Sequence, residues 1–250
     1  MGSLRSHGVD TVFGVPGGGS NLDVVGAAEA SGCRFVLTHT ETAAAIMAGV
    51  TAELSGRLGV CVATRGPGAA SAVNGVAQAN LDRQPIVVVT DCVSSGEYDR
   101  VSHQRLDHDV LFAAATKASV RWAAGDGSVP DDAVAMAVTG RPGAVHIDLD
   151  PSAPRSTWTA KAAAPAPSNI DAVRMRLAAA RRPVVVTGVG AVAVGAGRRP
   201  ALRDAIGRFL RGTNMPVLTT YKARGIVNDR GPSAAGVSPD DERVPGPGGI

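Results

Sequence analysis

The chain contains 250 residues, which suggests two domains if each domain takes roughly 150 residues. Hydrophobic residues make up 44% of it, a proportion that excludes global disorder and is enough for a buried core. The formal net charge of +3 is small and spread along the chain, so it gives no support for binding to nucleic acid. No apolar stretch approaches the roughly 18 residues of a membrane span, and we expect no membrane partner.

The cysteines and the N-terminus indicate the setting of the protein. Cys33, Cys61 and Cys92 lie far apart in apolar surroundings, and none has the spacing of a metal site. We therefore predict three buried thiols, no metal site and a reducing, cytoplasmic environment. The first eight residues have no apolar signal core and resemble the last turn of a helix, so we expect the chain to be part of a longer protein.

Strands and helices alternate through residues 1–151, with short loops between them. The predicted strands are Val9–Phe13, Arg34–Thr38, Gly59–Ala63, Pro85–Thr90 and Ala144–Asp148. The predicted helices are Leu22–Ala30, Glu41–Leu54, Ala69–Leu81 and Asp131–Val138, and Val110–Ala115 and Ser119–Trp122 are weaker elements. This alternation predicts an α/β fold with a parallel sheet flanked by helices and a ligand site at the carboxyl ends of the strands.

A second, incomplete α/β unit is predicted after a linker. Residues 152–169 are rich in Ala, Pro, Ser and Thr, which is typical of a linker. Residues 170–250 contain predicted helices at Ile170–Ala180 and Pro200–Leu210, predicted strands at Pro183–Thr187 and Pro216–Thr220, and an aperiodic tail at Pro239–Ile250. Two strands are too few for an independent sheet, so we expect this unit to be incomplete.

Two local features of the first unit suggest chemistry. Glu41 begins an Ala-rich helix after a polar turn. Acids are common at helix N-termini, but a carboxylate enclosed by alanines would also be a strong hydrogen-bond partner for a ring nitrogen. The segment Thr64-Arg65-Gly66-Pro67-Gly68 lies between a strand and a helix, where its glycines let the backbone approach a ligand. It does not match the phosphate-loop pattern, because no Gly-Lys-Ser/Thr follows.

Five segments in a fixed order point to a known family. They are Gly8–Gly17, Thr38–Ala44, Gly59–Gly68, Asn74–Ala79 and Pro85–Thr90. In this order, residues 8–151 resemble the pyrimidine-binding domain of thiamine-diphosphate enzymes of the acetolactate synthase and benzoylformate decarboxylase type. Two further segments, Arg182–Gly190 and Pro216–Gly225, resemble the start of the central domain of the same family.

The resemblance implies a site for the pyrimidine half of thiamine diphosphate. In this family a glutamate hydrogen-bonds N1′ of the aminopyrimidine, and by motif match that residue is Glu41, a proton relay tuned by burial. Gln104 corresponds to a glutamine near the reacting centre, and His103 beside it is either an acid/base or a solvated loop histidine. Arg65 stands where many members of the family have a small residue, so the resemblance does not predict the acceptor pocket. The implied cofactor contacts are Val15, Pro16, Gly17, Glu41, Gly66, Pro67 and Gly68.

The diphosphate has no predicted site in this chain. Family members hold it through Mg²⁺ on a separate domain, with a Gly-Asp-Gly segment and a later Asn. Here Gly125-Asp126-Gly127 lies inside the first unit without that Asn, so we interpret it as a turn and predict no metal ligands. The resemblance implies that the missing domain comes from a longer chain or a partner subunit. It also implies a homodimer, with the Ala69–Leu81 helix at the interface.

A dinucleotide motif in the second unit lacks its usual partner. Gly188–Ala193 fits G-x-G-x-x-A after a strand, but the next predicted strand ends in Tyr221-Lys222 where an NAD site needs an acid. The central domain of synthase-like relatives can bind FAD, so the resemblance leaves flavin contacts open at Gly188 and Lys222.

The sequence is compatible with three functions. The resemblance implies the cofactor-binding part of a 2-keto-acid lyase or carboligase that acts on a small-molecule 2-keto acid. The first alternative is a non-catalytic, truncated or split subunit that only dimerises or binds a partner. The second alternative is an NAD- or nucleotide-binding α/β protein. Glu41 separates the first hypothesis from the last, because a nucleotide-binding domain has no use for a carboxylate at that helix start.

Overall fold

A computed structural model describes residues 1–160, 169–193, 196–213 and 215–237. The chain divides into two compact units, Met1–Ala163 and Ala164–Ile250. Within the described ranges, no helix is long and apolar enough to cross a membrane.

The first unit is built on a seven-stranded sheet within its described residues, with the order β2-β1-β3-β4-β6-β5-β7. The strands are β1 (Thr11–Val15), β2 (Arg34–Leu37), β3 (Gly59–Ala63), β4 (Ile86–Asp91), β5 (Ala118–Ala123), β6 (Ala144–Asp150) and β7 (Thr157–Ala160). Neighbouring strands are parallel except β5 and β7, which are antiparallel. The predicted α/β class with a flanked, mostly parallel sheet is confirmed.

Helices cover both faces of this sheet. They are α1 (Gly2–Ser6), α2 (Ser20–Ala30), α3 (Glu41–Ser55), α4 (Pro67–Leu81), α5 (His108–Ala113) and α6 (Val129–Val138). Residues of α1, α2 and α6 share one core with valines of the central strands. Residues of α3, α4 and α5 form the core of the opposite face, which is rich in alanine. Strands β3 and β4 are buried along their whole length, as parallel strands between two helical layers should be.

Local signals in the sequence set the ends of α3, which carries the proposed cofactor-binding acid. The Thr40 side chain accepts a hydrogen bond from the Ala43 amide at 3.1 Å and so caps the first turn. Gly56 ends the helix in the left-handed conformation with φ of 70°. The predicted start of this helix at Glu41 is therefore confirmed.

The segment predicted as a linker contains a strand. Residues 157–160 form β7, which pairs with β5 in the order Arg121–Thr157 to Ala118–Ala160. Tertiary pairing thus overrides a composition typical of linkers, and β-forming Thr and Trp in this stretch are its local signal. The rest of that segment, residues 161–168, lies outside the described residues.

Among its described residues, the second unit has one more strand than the sequence predicted. It contains α7 (Ile170–Ala179), β8 (Val185–Thr187), α8 (Val189–Val192), α9 (Arg199–Thr213), β9 (Val217–Thr219) and β10 (Ala234–Val237). These strands form a parallel sheet with the order β10-β9-β8. The two-strand prediction was wrong because β10, with two alanines and a glycine in four residues, has little strand propensity. The predicted tail at 239–250 lies outside the described residues.

Candidate functional site

The carboxyl ends of β1, β3 and β4 bring several loops to one edge of the sheet. The strand register pairs Val15 at the end of β1 with Ala63 at the end of β3, and Ala63 with Thr90 in β4. The loop after β1 therefore meets the segment after β3. A Cβ on Gly17 would lie only 2.5 Å from the Thr64 hydroxyl oxygen. Ligands of parallel α/β sheets bind at this edge.

Small residues let α3 and α4 pack closely, and this packing places Glu41. A Cβ on Gly75 would lie 2.6 Å from the carbonyl oxygen of Thr42, and the Thr42 hydroxyl donates to the carbonyl oxygen of Ser71. The first turn of α3 therefore packs against α4. As a result, a Cβ on Gly68 would lie 3.1 Å from Oε1 of Glu41. The half-buried carboxylate thus faces a backbone that carries no side chain.

The segment Thr64–Gly68, which we call the glycine turn, is covered by the loop that carries Gln104. Gly66 has φ of 64°, and a Cβ there would collide with the carbonyl oxygen of Gln104. Gln104 itself has φ of 56°, a backbone conformation that residues other than glycine rarely adopt. Gln104 is half-buried beside the turn, whereas the neighbouring His103 is exposed.

Asp91 holds the loop after β1 against the glycine turn. Its buried carboxylate accepts hydrogen bonds from Asn21 Nδ2 at 2.7 Å, from the Arg65 amide at 3.1 Å and from Arg65 Nε at 3.0 Å. Asn21 in turn accepts from the Gly17 amide at 3.0 Å and donates to the carbonyl oxygen of Gly18 at 2.8 Å. Charge-assisted bonds of this kind fix geometry strongly. Arg65, the residue that departs from the family pattern, thus uses its guanidinium to hold Asp91 and stabilises the site.

A buried polar cluster beside the glycine turn was missed in the sequence. We call it the Asp148 network. Its members are Thr90 on β4, His108 at the start of α5, Ser119 on β5, and His146 and Asp148 on β6. All five side chains are buried. The sequence carried one signal for it: β6 alternates apolar residues with His146, Asp148 and Asp150, although a strand buried on both faces should be apolar throughout.

The electrostatics of this cluster follow from its burial. Burial lowers the pKa of His146 from 6.5 to about 4; Asp148 opposes this shift, and His108 and Arg121 add to it. Burial acts to raise the pKa of Asp148, but the hydrogen bonds from His108 and Thr90 and the nearby imidazoles hold it below its ordinary value. We therefore assign a neutral His146 and an ionised Asp148 at neutral pH.

The same cluster contains atoms of the kinds that bind metals. Ligand atoms of His108, His146 and Asp148 lie within 4.8 Å of one another. The sequence predicted no metal site, and the spacing of these residues along the chain gives no motif for one. Strand pairing alone brings them together, since β6 lies beside both β4 and β5.

The predicted site residues are thus only partly brought together. Around Glu41 the structure places Gly68, next to its carboxylate, and the buried Gly66 with Gln104 above it. The residues at the end of β1 and in the following loop, Val15, Pro16 and Gly17, are half-buried, and Gly17 contacts the glycine turn through Thr64. Pro67 and His103 are exposed. The roles of all these residues stay predictions.

The structure agrees with the predictions of buried cysteines and of a turn at the Gly-Asp-Gly segment. Cys33, Cys61 and Cys92 are all buried free thiols. Burial raises the pKa of Cys61 to about 12 and that of Cys92 further. The Gly125–Gly127 segment forms a turn between β5 and α6, in which Asp126 Oδ1 accepts from the Ser128 hydroxyl at 2.9 Å.

The candidate flavin residues of the second unit lie at one edge of its sheet. Gly188 follows β8 and begins α8, while Lys222 lies in a short 3-10 turn, Tyr221–Ala223, directly after β9. Because β8 and β9 are parallel neighbours, the two segments lie side by side. Flavin binding at these residues stays a prediction.

Comparison with known proteins identifies the first unit. Residues 1–111 match the family model described as thiamine pyrophosphate enzyme, N-terminal TPP binding domain. The acetolactate synthase isozyme 2 large subunit of Escherichia coli (strain K12) is 35% identical over 236 residues, which cover 90% of this chain and 42% of that protein. The acetolactate synthase large subunit of Parasynechococcus marenigrum (strain WH8102) is 32% identical over 256 residues, covering 95% and 40%.

A relative that is named for a different activity matches over a similar length. The probable 2-ketoarginine decarboxylase AruI of Pseudomonas aeruginosa is 31% identical over 251 residues, covering 94% of this chain and 43% of that protein. The chain thus spans about two fifths of the length of these relatives. Together with the fold, these matches show that residues 1–111 form part of an N-terminal TPP binding domain of the thiamine pyrophosphate enzyme family.

Proposed function

We propose that this chain supplies the pyrimidine-binding side of an acetolactate synthase-like enzyme, a lyase or carboligase acting on a 2-keto acid. The observation that carries the proposal is the position of the Glu41 carboxylate. Its Oε1 lies only 3.1 Å from the place that a Cβ on Gly68 would occupy. Because Gly68 carries no side chain, that oxygen faces only backbone at this position.

The glycine turn supports the fit of a flat heterocycle. A Cβ on Gly68 would approach the Thr64 methyl group to 2.7 Å, and a Cβ on Gly66 would meet the backbone at Gln104. Side chains at these positions would therefore fill or distort the space beside Glu41. The backbone of this turn would hold one face of an aminopyrimidine, and the Glu41 carboxylate would meet its ring nitrogen.

Glu41 would hold and share a proton with N1′ of the pyrimidine. It lies in the first turn of α3, beside the free amides of the helix N-terminus. When bound, thiamine diphosphate supplies an electron sink for breaking a bond beside a carbonyl group. The part of Glu41 is to move a proton at Oε1, and a positioned acid/base of this kind contributes about 10²–10⁴-fold to a rate.

Two further residues belong to the proposal with different support. Gln104 lies beside the glycine turn, where an amide can reach a reacting group. His103 is exposed, so its proposed acid/base role needs a covering segment from elsewhere in the assembled protein. The proposal also includes FAD contacts at Gly188 and Lys222, which lie at one edge of the sheet in the second unit.

The diphosphate and Mg²⁺ would be held outside the described residues. Asp126, in the one Gly-Asp-Gly segment, already accepts a hydrogen bond from Ser128 within a surface turn. We therefore propose that a further domain of a longer chain, or a partner subunit, completes the site, and that two copies pair through α4. The alternative is a non-catalytic subunit that only dimerises or binds a partner.

An activity measurement tests the proposal. The protein is assembled with the segment or subunit that supplies the diphosphate site, and loss of pyruvate and of benzoylformate is followed with thiamine diphosphate and Mg²⁺. We expect decarboxylation of at least one, and a loss of about 10²-fold or more in Glu41→Gln. Glu29→Gln, at an exposed glutamate of α2, is the matched control and should leave the rate unchanged. Equal rates in both variants would exclude the proposed role of Glu41.

A further inference from the structure

The buried Asp148 network joins the glycine turn to the interior of the sheet through one fixed set of hydrogen bonds. The Gly66 amide donates to Nε2 of His108 at 3.1 Å. An amide can only donate, so Nε2 carries no proton, and the proton of the neutral ring lies on Nδ1. Nδ1 then donates to Oδ1 of Asp148 at 3.0 Å.

The second arm of the network is fixed by the same reasoning. The Thr90 hydroxyl donates to Oδ1 of Asp148 at 2.7 Å, which uses its only proton. Its 2.8 Å contact with Nε2 of His146 must therefore be donated by the ring. Nδ1 of His146 is then an acceptor, and the Ser119 hydroxyl donates to it at 2.7 Å. Both arms thus end as donors to one carboxylate oxygen.

This assignment leaves no ring nitrogen free for a metal ion. Each of the four imidazole nitrogens already has a hydrogen-bond partner, and the Thr90 hydroxyl lies between His146 and Asp148. Oδ2 of Asp148 is the one carboxylate atom of the group that is buried without a partner within the described residues. A single oxygen cannot make a metal site unless the hydrogen bonds break.

We propose that His108 is a positioning residue that holds the Gly66 amide, and with it the glycine turn, against Glu41. Asp148 orients the ring by accepting from Nδ1, so that Nε2 faces the turn. The inference rests on the proposed function, because the position of the turn matters to a reaction only if a pyrimidine binds there. Buried hydrogen bonds to a backbone amide are costly to lose, since the amide cannot find water as a substitute.

Two substitutions separate the roles of the two ring nitrogens. The amide of glutamine reaches about as far as Nε2, and that of asparagine about as far as Nδ1. His108→Gln therefore keeps an acceptor for Gly66, whereas His108→Asn keeps only the donor to Asp148. In the assembled enzyme, we expect His108→Asn to raise the KM for thiamine diphosphate about tenfold with a smaller change in kcat, and His108→Gln to stay within about threefold. Equal effects of both variants, or a larger effect of His108→Gln, would overturn the proposal.

Two measurements on the unmodified protein do not depend on the cofactor. Nitrogen-15 NMR of labelled histidines should show His108 with Nδ1 protonated and Nε2 unprotonated, and amide exchange at Gly66 should speed up about tenfold in His108→Asn. The opposite tautomer, or a stoichiometric metal found by elemental analysis, would overturn the proposal. If no form of the protein binds thiamine diphosphate while these two results hold, the proposed function fails and the positioning of the turn stands.

Discussion

The buried ring of His146 makes the stability of the first unit depend on pH. In an unfolded chain this histidine takes up a proton below about pH 6.5, but in the folded protein burial lowers its pKa to about 4. Between these values the unfolded state binds more protons. The free energy of unfolding should therefore fall as the pH drops from 6.5 towards 4, and the full stability is present above pH 6.5.

The size of the effect follows from the two pKa values. One pKa unit corresponds to about 1.4 kcal/mol, so the loss between pH 6.5 and pH 5 should be about 2 kcal/mol, rising to about 3 kcal/mol at pH 4. Aspartates add to acid unfolding mainly at lower pH. Their ordinary pKa is 3.8, and the pKa values of Asp148 and Asp150 are lower still in the folded state. The interval from pH 6.5 to pH 5 therefore separates the contribution of His146 from that of the carboxyl groups.

Urea unfolding followed by tryptophan fluorescence measures this loss. Both tryptophans of the chain, Trp122 and Trp158, lie in the first unit, on β5 and β7. His146→Leu should lower the overall stability, because Ser119 loses its acceptor, yet flatten the dependence on pH. His103→Asn, at an exposed loop histidine, should leave the slope unchanged. A wild-type slope between pH 5 and 6.5 no steeper than that of His146→Leu would refute the reasoning.

Two further predictions concern the cradle and the thiols. Gly68→Ala should weaken thiamine diphosphate binding about tenfold in a calorimetric titration, since its methyl group meets Thr64 and Glu41. Gly26→Ala, where nothing lies within 4 Å, should leave binding intact and stabilise α2 by about 0.5–1 kcal/mol; equal binding by both variants would contradict the cradle. Cys61, with its pKa raised to about 12, should react with iodoacetamide at pH 7.5 only after unfolding, as mass spectrometry can check.

The sequence predicted the elements that local chemistry determines. The Thr40 cap and the Gly56 stop set the ends of α3, and the valine-rich run of β4 identified a buried strand. The resemblance also implies that Glu41 and the glycine turn share one site, and the structure brings Gly68 next to the Glu41 carboxylate. This contact depends on the close packing of α3 against α4 at Gly75. The sequence of either helix alone does not predict that packing.

The rest depends on pairings between distant parts of the chain. The Asp148 network joins β4, β5, β6 and the start of α5, and β6 takes its place between β4 and β5 although β5 precedes it in sequence. Ala144–Asp148 lies in a strand as predicted, but the alternation of its polar residues does not by itself reveal which side chains they meet. Strand β7 arose from pairing with β5, and β10 from pairing with β9, against weak local propensity.

The central claim is that Glu41 shares a proton with the pyrimidine ring of thiamine diphosphate. Exchange of the C2 proton of the cofactor for deuterium, followed by NMR in the assembled protein without a 2-keto acid, measures that step apart from any substrate. The account predicts fast exchange in the wild type and in Glu29→Gln, and exchange about 10²–10⁴-fold slower in Glu41→Gln. Exchange in Glu41→Gln within about twofold of the wild type would contradict the account.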